Sequence, residues 1–304
     1  MRAKSLDNIK RKNRRQQSLP FVVLVAPFAI LFILFTVIPI IAAFFISFTD
    51  YNLLSINHVV GLKNYIRLFL DDEVFLKSFK NTMVQAAIVG PIGFVLSFVI
   101  AWMINELGRT ARSIVTLIVY SPALAGNIYF IWQYIFSSDS RGFINDVLIK
   151  MQLISDPIQW LTDEKYNFTI VILVSVWLSF GTGFLSFVAG FKALDKSYYE
   201  AAAVDGLKNR WQELYYVTFP QMGPQLMFGI VMSISGAFAV GDVNRNLTGF
   251  PSSNYSTHTI LLHMTDYANT RYEMGYASAI AVVLFGLVVL FKVIFNKILD
   301  KFNG

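Results

Sequence analysis

Charged side chains drop out of this sequence in long windows. No Asp, Glu, Lys or Arg occurs in residues 16–49, 81–105, 113–138, 166–191, 214–241 or 274–291, runs of 34, 25, 26, 26, 28 and 18 residues. Within them apolar residues follow one another, without the two-residue alternation of a barrel strand, and about 20 such residues make a helix that crosses hydrocarbon. Backbone N–H and C=O groups in hydrocarbon must pair internally, which leaves the helix as the spanning form. The pattern predicts an all-α membrane protein of six transmembrane helices, near 21–48, 82–105, 114–137, 168–190, 221–241 and 273–295. A seventh uncharged window, 246–265, is rich in Asn, Ser, Thr, Gly and Pro and predicts a loop. Pro39, Pro91 and Pro122 fall inside spans, where they predict kinks.

Composition changes the domain count. A chain of 304 residues has the length of two soluble domains. At 55% apolar and 14% charged residues, well below the roughly 25% charge of soluble domains, it reads instead as a basic arm, 1–20, and one transmembrane domain, 21–300. The 28 Phe suit a surface that faces lipid. Charge supplies the orientation. The arm holds Arg2, Lys4, Lys10, Arg11, Lys12, Arg14 and Arg15 against Asp7, which accounts for the net charge of +6. With this arm in the cytoplasm, the inner segments hold 16 Lys and Arg and the outer ones 9, so the positive-inside rule predicts a multi-pass protein of a bacterial cytoplasmic membrane with both termini cytoplasmic. The first apolar run is about twice the length of a signal-peptide core, which predicts an uncleaved anchor whose arm meets anionic membrane lipid rather than nucleic acid.

Familiar reactive patterns are missing from the sequence. It has no cysteine, no GxxxxGK[ST] phosphate loop, no HExxH and no GxSxG. His58, His258 and His263 are too scattered to predict a metal site. No ionisable residue falls in the middle of a span, where ion-coupled carriers keep one. The residues therefore predict a non-enzyme, and any uphill transport would draw its energy from a partner.

The cytoplasmic loop 195–220 carries the most information. Ser197-Tyr198-Tyr199-Glu200 has the form of a capping box, followed by Ala201, Ala202, Ala203, Val204 and Asp205, with Gly206 placed to end the helix in the left-handed conformation. A second short helix is predicted from Asn209, with Gln212 three residues on, ending before Pro220. Lys192, Lys196, Lys208 and Arg210 balance Asp195, Glu200, Asp205 and Glu213, so the loop has no basic footprint for DNA. On residue chemistry alone it is either a docking helix or a linker.

Glu200-Ala201-Ala202, Gly206 and Thr218-Phe219-Pro220, together with Asp205, Trp211 and Gln212, resemble the EAA loop of binding-protein-dependent ABC importer permeases, in the sugar branch typified by maltose and glycerol-phosphate permeases. Val60-Gly61-Leu62-Lys63-Asn64-Tyr65, Asn81-Thr82, Gly142-Phe143-Ile144-Asn145, Trp160-Leu161 and Gly275-Tyr276-Ala277-Ser278-Ala279 are similar to the same branch, so the resemblance covers about residues 20–300. Three features depart from it: one extra residue between Gly206 and Trp211, Asp195 where a Pro is usual, and Phe219 where Leu is usual.

The resemblance implies a type I ABC importer permease fold with cytoplasmic coupling helices. It assigns ATPase coupling to Glu200, Ala201, Ala202, Asp205 and Gly206. It implies a second homologous permease, two ATP-binding cassette subunits that hold ATP and Mg, and an extracytoplasmic solute-binding protein, with no cofactor on this chain. The expected function is permeation of a carbohydrate, an oligosaccharide by preference, through alternating access. Permeation of a non-sugar solute, a stand-alone secondary carrier and a channel remain as alternatives. Trp177, Ser179, Asp242 and Asn244 are the candidates for the substrate pathway, and Trp160 is assigned to the outer loop that meets the binding protein.

Overall fold

A computed structural model describes residues 23–53, 58–126 and 128–303; the basic arm 1–20 lies outside the described residues. Among those residues the backbone is helical with loops, and Thr49 and Val59 form one isolated antiparallel bridge. The helices are α1 (Val23–Ile46), α2 (Glu73–Asn105), α3 (Arg109–Leu124), α4 (Tyr129–Ile135), α5 (Phe143–Lys150), α6 (Glu164–Leu178), α7 (Thr182–Ala193), α8 (Lys196–Val204), α9 (Arg210–Glu213), α10 (Gly223–Phe238), α11 (Asp242–Thr248), α12 (Ile260–Asn269) and α13 (Met274–Asn303).

Four stretches are long and apolar enough to cross a membrane: Val23–Ile46, Glu73–Asn105, Glu164–Ala193 and Met274–Phe295. Two more arise if α3 with α4, bent by 88°, and α10 with α11, bent by 41°, each count as one span. The third, fourth and fifth windows, expected as unbroken helices, are thus interrupted. α6 also gives way to α7 across Ser179–Gly181. Uncharged length shows how far a span extends but is blind to a break made by small residues. Window 246–265 is a loop only in part. Thr259 caps α12 by accepting the Leu262 N–H at 3.3 Å, and the helix buries Ile260, Leu262, His263 and Tyr267.

The prolines act in different ways. Pro91 sits within the 33 residues of α2, and Pro122 lies two residues before α3 stops. Pro39 and Pro220 each follow a π-turn, Ile33–Val37 and Leu214–Thr218. A proline ring collides with the carbonyl four residues earlier in an α-helix, and a wider turn at that carbonyl relieves the collision.

α2, α7 and α10 cross at close range, and their aromatic core is Phe98, Phe184, Phe187 and Phe191 with Leu214 and Met222. Phe187 lies so near Gly229 that a β-carbon there would overlap the ring. Small residues at such crossings let helices approach where no hydrophobic force drives them together. α1 is different: none of its apolar window is buried, and its main helix contact is α13.

Polar side chains knit the end of the bundle that holds the α6 and α13 N-termini. Asn64 donates to the carbonyls of Ser47 and Thr49, both at 2.8 Å, where α1 ends. The Gly275 N–H donates to Tyr51 O at 2.8 Å, and Gly275 lies against the Thr49 carbonyl where any side chain would collide. Asn81 donates to the carbonyls of Tyr255 and His258, and Asn145 is hydrogen-bonded to Ser137, Asp139, Ile158 and Trp160. Trp160 is therefore half-buried against Phe136 and Tyr166, and its indole N–H is already engaged. Asp72 caps α2 through the Phe75 N–H and receives Tyr276 Oη–H at 2.7 Å, with His263 Nε2 at 3.0 Å. Burial by itself would raise this carboxyl, but the hydrogen bonds from His263, Tyr276 and Phe75 outweigh it and hold Asp72 well below the usual carboxylate range. Nearby, His258 stacks on Phe250 and has both ring nitrogens buried without a hydrogen-bond partner. Burial, reinforced by His263, pushes its pKa down to about 4.

Two outcomes follow from this packing. Gly229→Ala should cost roughly 1–3 kcal/mol through overpacking, read as a lower thermal midpoint in detergent, whereas Gly286→Ala, with no atom within 4 Å of its β-carbon, should not. For His258, the folded pKa lies below the ordinary 6.5, so the unfolded chain takes up a proton first as pH falls. Its contribution to stability is complete above pH 6.5 and declines toward pH 4, while that of Asp72 is lost only at still lower pH. The thermal midpoint should fall between pH 6.5 and 4, and His258→Phe, which keeps the stacking and cannot titrate, should flatten that slope.

Candidate functional site

Two features stand apart from the packed bundle: an exposed loop at one end and a cavity inside. The loop is a pair of short helices built by local capping. The Asp195 carboxylate accepts the Ser197 N–H at 3.0 Å and so caps α8; the expected Ser197–Glu200 capping box does not form, because the cap lies two residues earlier, at Asp195. That bond holds the fully exposed Asp195 carboxyl below its ordinary range. Asp195 therefore fulfils, as an acceptor, the helix-starting role that a proline could fill through its fixed φ.

At the other end Gly206 adopts φ +96°. Its N–H donates to Ala203 O at 3.2 Å and the Leu207 N–H to Ala202 O at 3.0 Å. These two bonds are the Schellman closure, which requires a left-handed residue at Gly206. The second helix starts where the sequence predicts: Asn209 accepts the Gln212 N–H at 2.9 Å, and Gln212 Oε1 accepts the Lys208 N–H at 3.0 Å. It does not end before Pro220 as expected; α9 continues through the π-turn Leu214–Thr218 to Gln221, the wider turn making room for the proline ring.

The loop is anchored below and open above. Ala202 is buried, and Tyr199 Oη lies 2.9 Å from Thr218 Oγ1. Arg210 reaches Glu106 at 2.6 Å, tying the loop to the turn between α2 and α3, and Trp102 packs on Trp211. Glu200, Ala201, Ala203, Asp205 and Gly206 are exposed. Val204 is 87% exposed and Trp211 70%, and Tyr215 and Tyr216 stand out beside them. An apolar surface held out on a rigid, capped helix is suited to docking a protein.

The cavity has a volume of about 480 Å³ and lies where the three breaks converge. Ala123, Ala125, Gly126, Ile128 and Tyr129 come from the α3–α4 break. Leu178, Ser179, Gly181, Thr182 and Gly183 come from α6–α7, and Ala237, Ala239, Val240, Gly241, Asp242 and Val243 from α10–α11. Broken helices in membranes line cavities with the main-chain groups they release. Ser97, Ser175 and Ser233 add hydroxyls to the wall.

Of the residues singled out in the sequence, Ser179 and Asp242 meet on this wall. Trp177 is not part of the lining and packs edge-on against Trp132. Asn244 is fully buried, exchanging amide hydrogen bonds with Gln85 and donating to Thr257 O. Sequence reasoning missed Tyr129, Thr182 and Ser233, although Ser-Phe-Gly-Thr-Gly at 179–183, amid a continuous apolar run, marked such a break. Among the described residues no group of three His, Cys, Asp or Glu could hold a metal ion.

Known proteins resemble this chain in fold or in sequence. A bacterial ABC transporter chain described as involved in the import of the acidic polysaccharide alginate superposes with a TM-score of 0.77, covering 97% of this chain and 100% of that one at 21% identity. The arabinooligosaccharide transport permease AraP of Bacillus subtilis is 26% identical over 92% of this chain and 88% of its own length. The probable ABC transporter permease YesP of the same organism is 32% identical over 95% of this chain and 93% of its own. Residues 91–302, well over half the chain, match the binding-protein-dependent transport system inner membrane component family, and the chain belongs to that family of ABC transporter permeases, with their type I importer fold.

Proposed function

We propose that this chain is the transmembrane permease subunit of an ATP-driven importer for a carbohydrate, an oligosaccharide by preference, and that it works with a second permease, two ATPase subunits and an extracytoplasmic solute-binding protein. The observation that carries the reading is the pairing of a docking helix at one end with a hydroxyl-lined cavity at three helix breaks. A permease needs both parts, one to receive movement and one to pass the solute. Similarity to an arabinooligosaccharide permease supports the sugar class. So does the wall of Ser, Thr, Tyr and Gly, which offers hydrogen bonds to hydroxyl groups while releasing the solute readily.

In this reading the α8 end faces the cytoplasm, as do both termini, and the loops around Asn145 and His258 face outward. ATP and Mg sit on the ATPase subunits. Their closure moves α8 as one piece, since its ends are fixed by Asp195 and Gly206 and its underside by Ala202 and Tyr199. Arg210 and Trp211 carry that movement to Glu106 and Trp102 at the α2 end, and the crossing of α2, α7 and α10 passes it to the cavity wall. Nucleotide thereby biases two packed states of the bundle, one open on each side. Glu200, Ala201, Asp205 and Gly206 form the docking contact. Ser179 and Asp242 lie along the solute path, Trp177 supports it through Trp132, and Asn244 supports it through Gln85.

Gly206→Asp, which forces a side chain onto a left-handed position, and Glu200→Arg should each reduce uptake to background and lower the ATPase that co-purifies with the complex in detergent. Wild-type uptake by both variants would sink the coupling assignment. Asp195→Ala should remove a cap worth about 1 kcal/mol and reduce uptake without abolishing it, measured as solute transported per ATP hydrolysed. The chain has no native cysteine, so orientation can be read directly: Ser140→Cys should react with a membrane-impermeant maleimide in intact cells and Ser197→Cys only after lysis.

A further inference from the structure

Charge on the cavity wall is confined to one residue. Among the described residues twenty-five line the cavity, and of these Asp242 is the sole acidic side chain; no Lys, Arg or His is among them. Helix ends could in principle supply opposing partial charge. At each break, however, one helix C-terminus and one N-terminus reach the same wall, Leu124 against Tyr129, Leu178 against Thr182 and Phe238 against Asp242, so their partial charges oppose one another. Asp242 opens α11, whose N-terminus offers at most about half a positive charge, so a net negative charge remains on the wall.

No side chain among the described residues neutralises it. Among the described residues no hydrogen bond or ion pair holds the Asp242 carboxylate; Asn246 donates only to its main-chain carbonyl, at 2.7 Å. Arg245, one turn further along α11, is not part of the lining, and its guanidinium lies over the Phe250 ring at 5.3 Å. An exposed carboxylate without a partner, at a bend in an otherwise uncharged passage, projects its field into that passage with little opposition.

We propose that Asp242 is the charge filter of the passage this chain builds, admitting neutral or amino-bearing oligosaccharides and excluding polyanionic ones. The proposal rests on the reading of the cavity as the solute path and adds the charge class of the solute. Fold does not decide that class, since a chain of similar architecture belongs to a transporter described as importing an acidic polysaccharide. A uronate carboxylate passing Asp242 would meet like charge in a passage where water cannot screen it fully. At a separation of about 7 Å and an effective dielectric constant near 20, the repulsion corresponds to roughly a fiftyfold penalty, with an equal preference for a cation.

The test does not depend on which sugar is carried. The chain lacks cysteine and Ser233 lines the same cavity as Asp242, so Ser233→Cys, assembled in the complete transporter, supplies a single thiol in this chain within the passage. Its rates of modification by a cationic trimethylammonium methanethiosulfonate and by an anionic sulfonate methanethiosulfonate are compared with those of Ser140→Cys on the exposed surface. Taking the ratio of the two rates cancels any change in thiol reactivity. The cation-to-anion ratio at Ser233→Cys should exceed the control by roughly tenfold or more, fall to the control value when Asp242→Asn is added, and return with Asp242→Glu. A ratio equal to the control with Asp242 intact, or one indifferent to Asp242→Asn, overturns the filter. Failure of Ser233→Cys to react with either reagent shows that the cavity is not an aqueous path and overturns the reading beneath it as well. Uptake of neutral oligosaccharides by the unsubstituted transporter tests the carbohydrate assignment separately.

Discussion

The arrangement depends on the requirement that every main-chain amide in hydrocarbon find a partner inside the protein. Continuous helices meet it alone. Where a helix stops in mid-span, the freed N–H and C=O groups need somewhere polar to go. This chain stops helices in three places and brings all three to one cavity. The breaks that would be costly singly, facing lipid, become the wall of a shared cavity with hydroxyl groups among its apolar side chains. The same constraint explains the wall's composition. Gly and Ala let the backbone turn and approach, while Ser and Thr supply hydrogen bonds with no charge to desolvate.

A second level of order comes from buried amide side chains. Asn64, Asn81, Asn145 and Asn244 each sit where a loop meets a helix and bond to main-chain atoms of that loop. An Asn carries two donors and one acceptor in a small volume, so a single residue can close several exposed backbone groups at once. Asp72, with Tyr276 and His263, performs the same task with a charge, and there the low carboxyl pKa is the electrostatic sign of the hydrogen bonds it receives. These ties fix the loops at one end of the bundle to the helices they join.

This division governs what the sequence could reveal. The apolar windows were legible, four as long helices and two more as bent pairs, because desolvation of a single Lys or Asp is costly enough to exclude charge from whole windows. The docking loop was legible because caps are local: Gly206 and Asn209 announce their conformations within a few residues. Asp195 was harder, since Ser197 offered an equally good local cap. The breaks were missed because Ser179–Gly183 is uncharged, and an apolar count treats a serine on a cavity wall as it treats one in a helix. Asp242 and Asn244 looked alike at two residues' separation. Tertiary contacts, which set Asn244 against Gln85 and leave Asp242 free on the wall, assign them opposite parts.

The peripheral position of α1 bears on how the protein is made. Among the described helices α1 is the earliest to be synthesised, and its main helix contact, α13, follows all the others. At about 5–20 residues per second, α1 waits in the bilayer for roughly 10–50 s before that partner emerges. A span that must wait cannot carry side chains that need a distant partner, and Thr36 is the sole hydroxyl or amide side chain between Val23 and Ile46. By contrast α2 carries Asn81, Thr82, Gln85 and Ser97, all buried. The bland sequence of α1 is thus what allows it to be inserted early and assembled late.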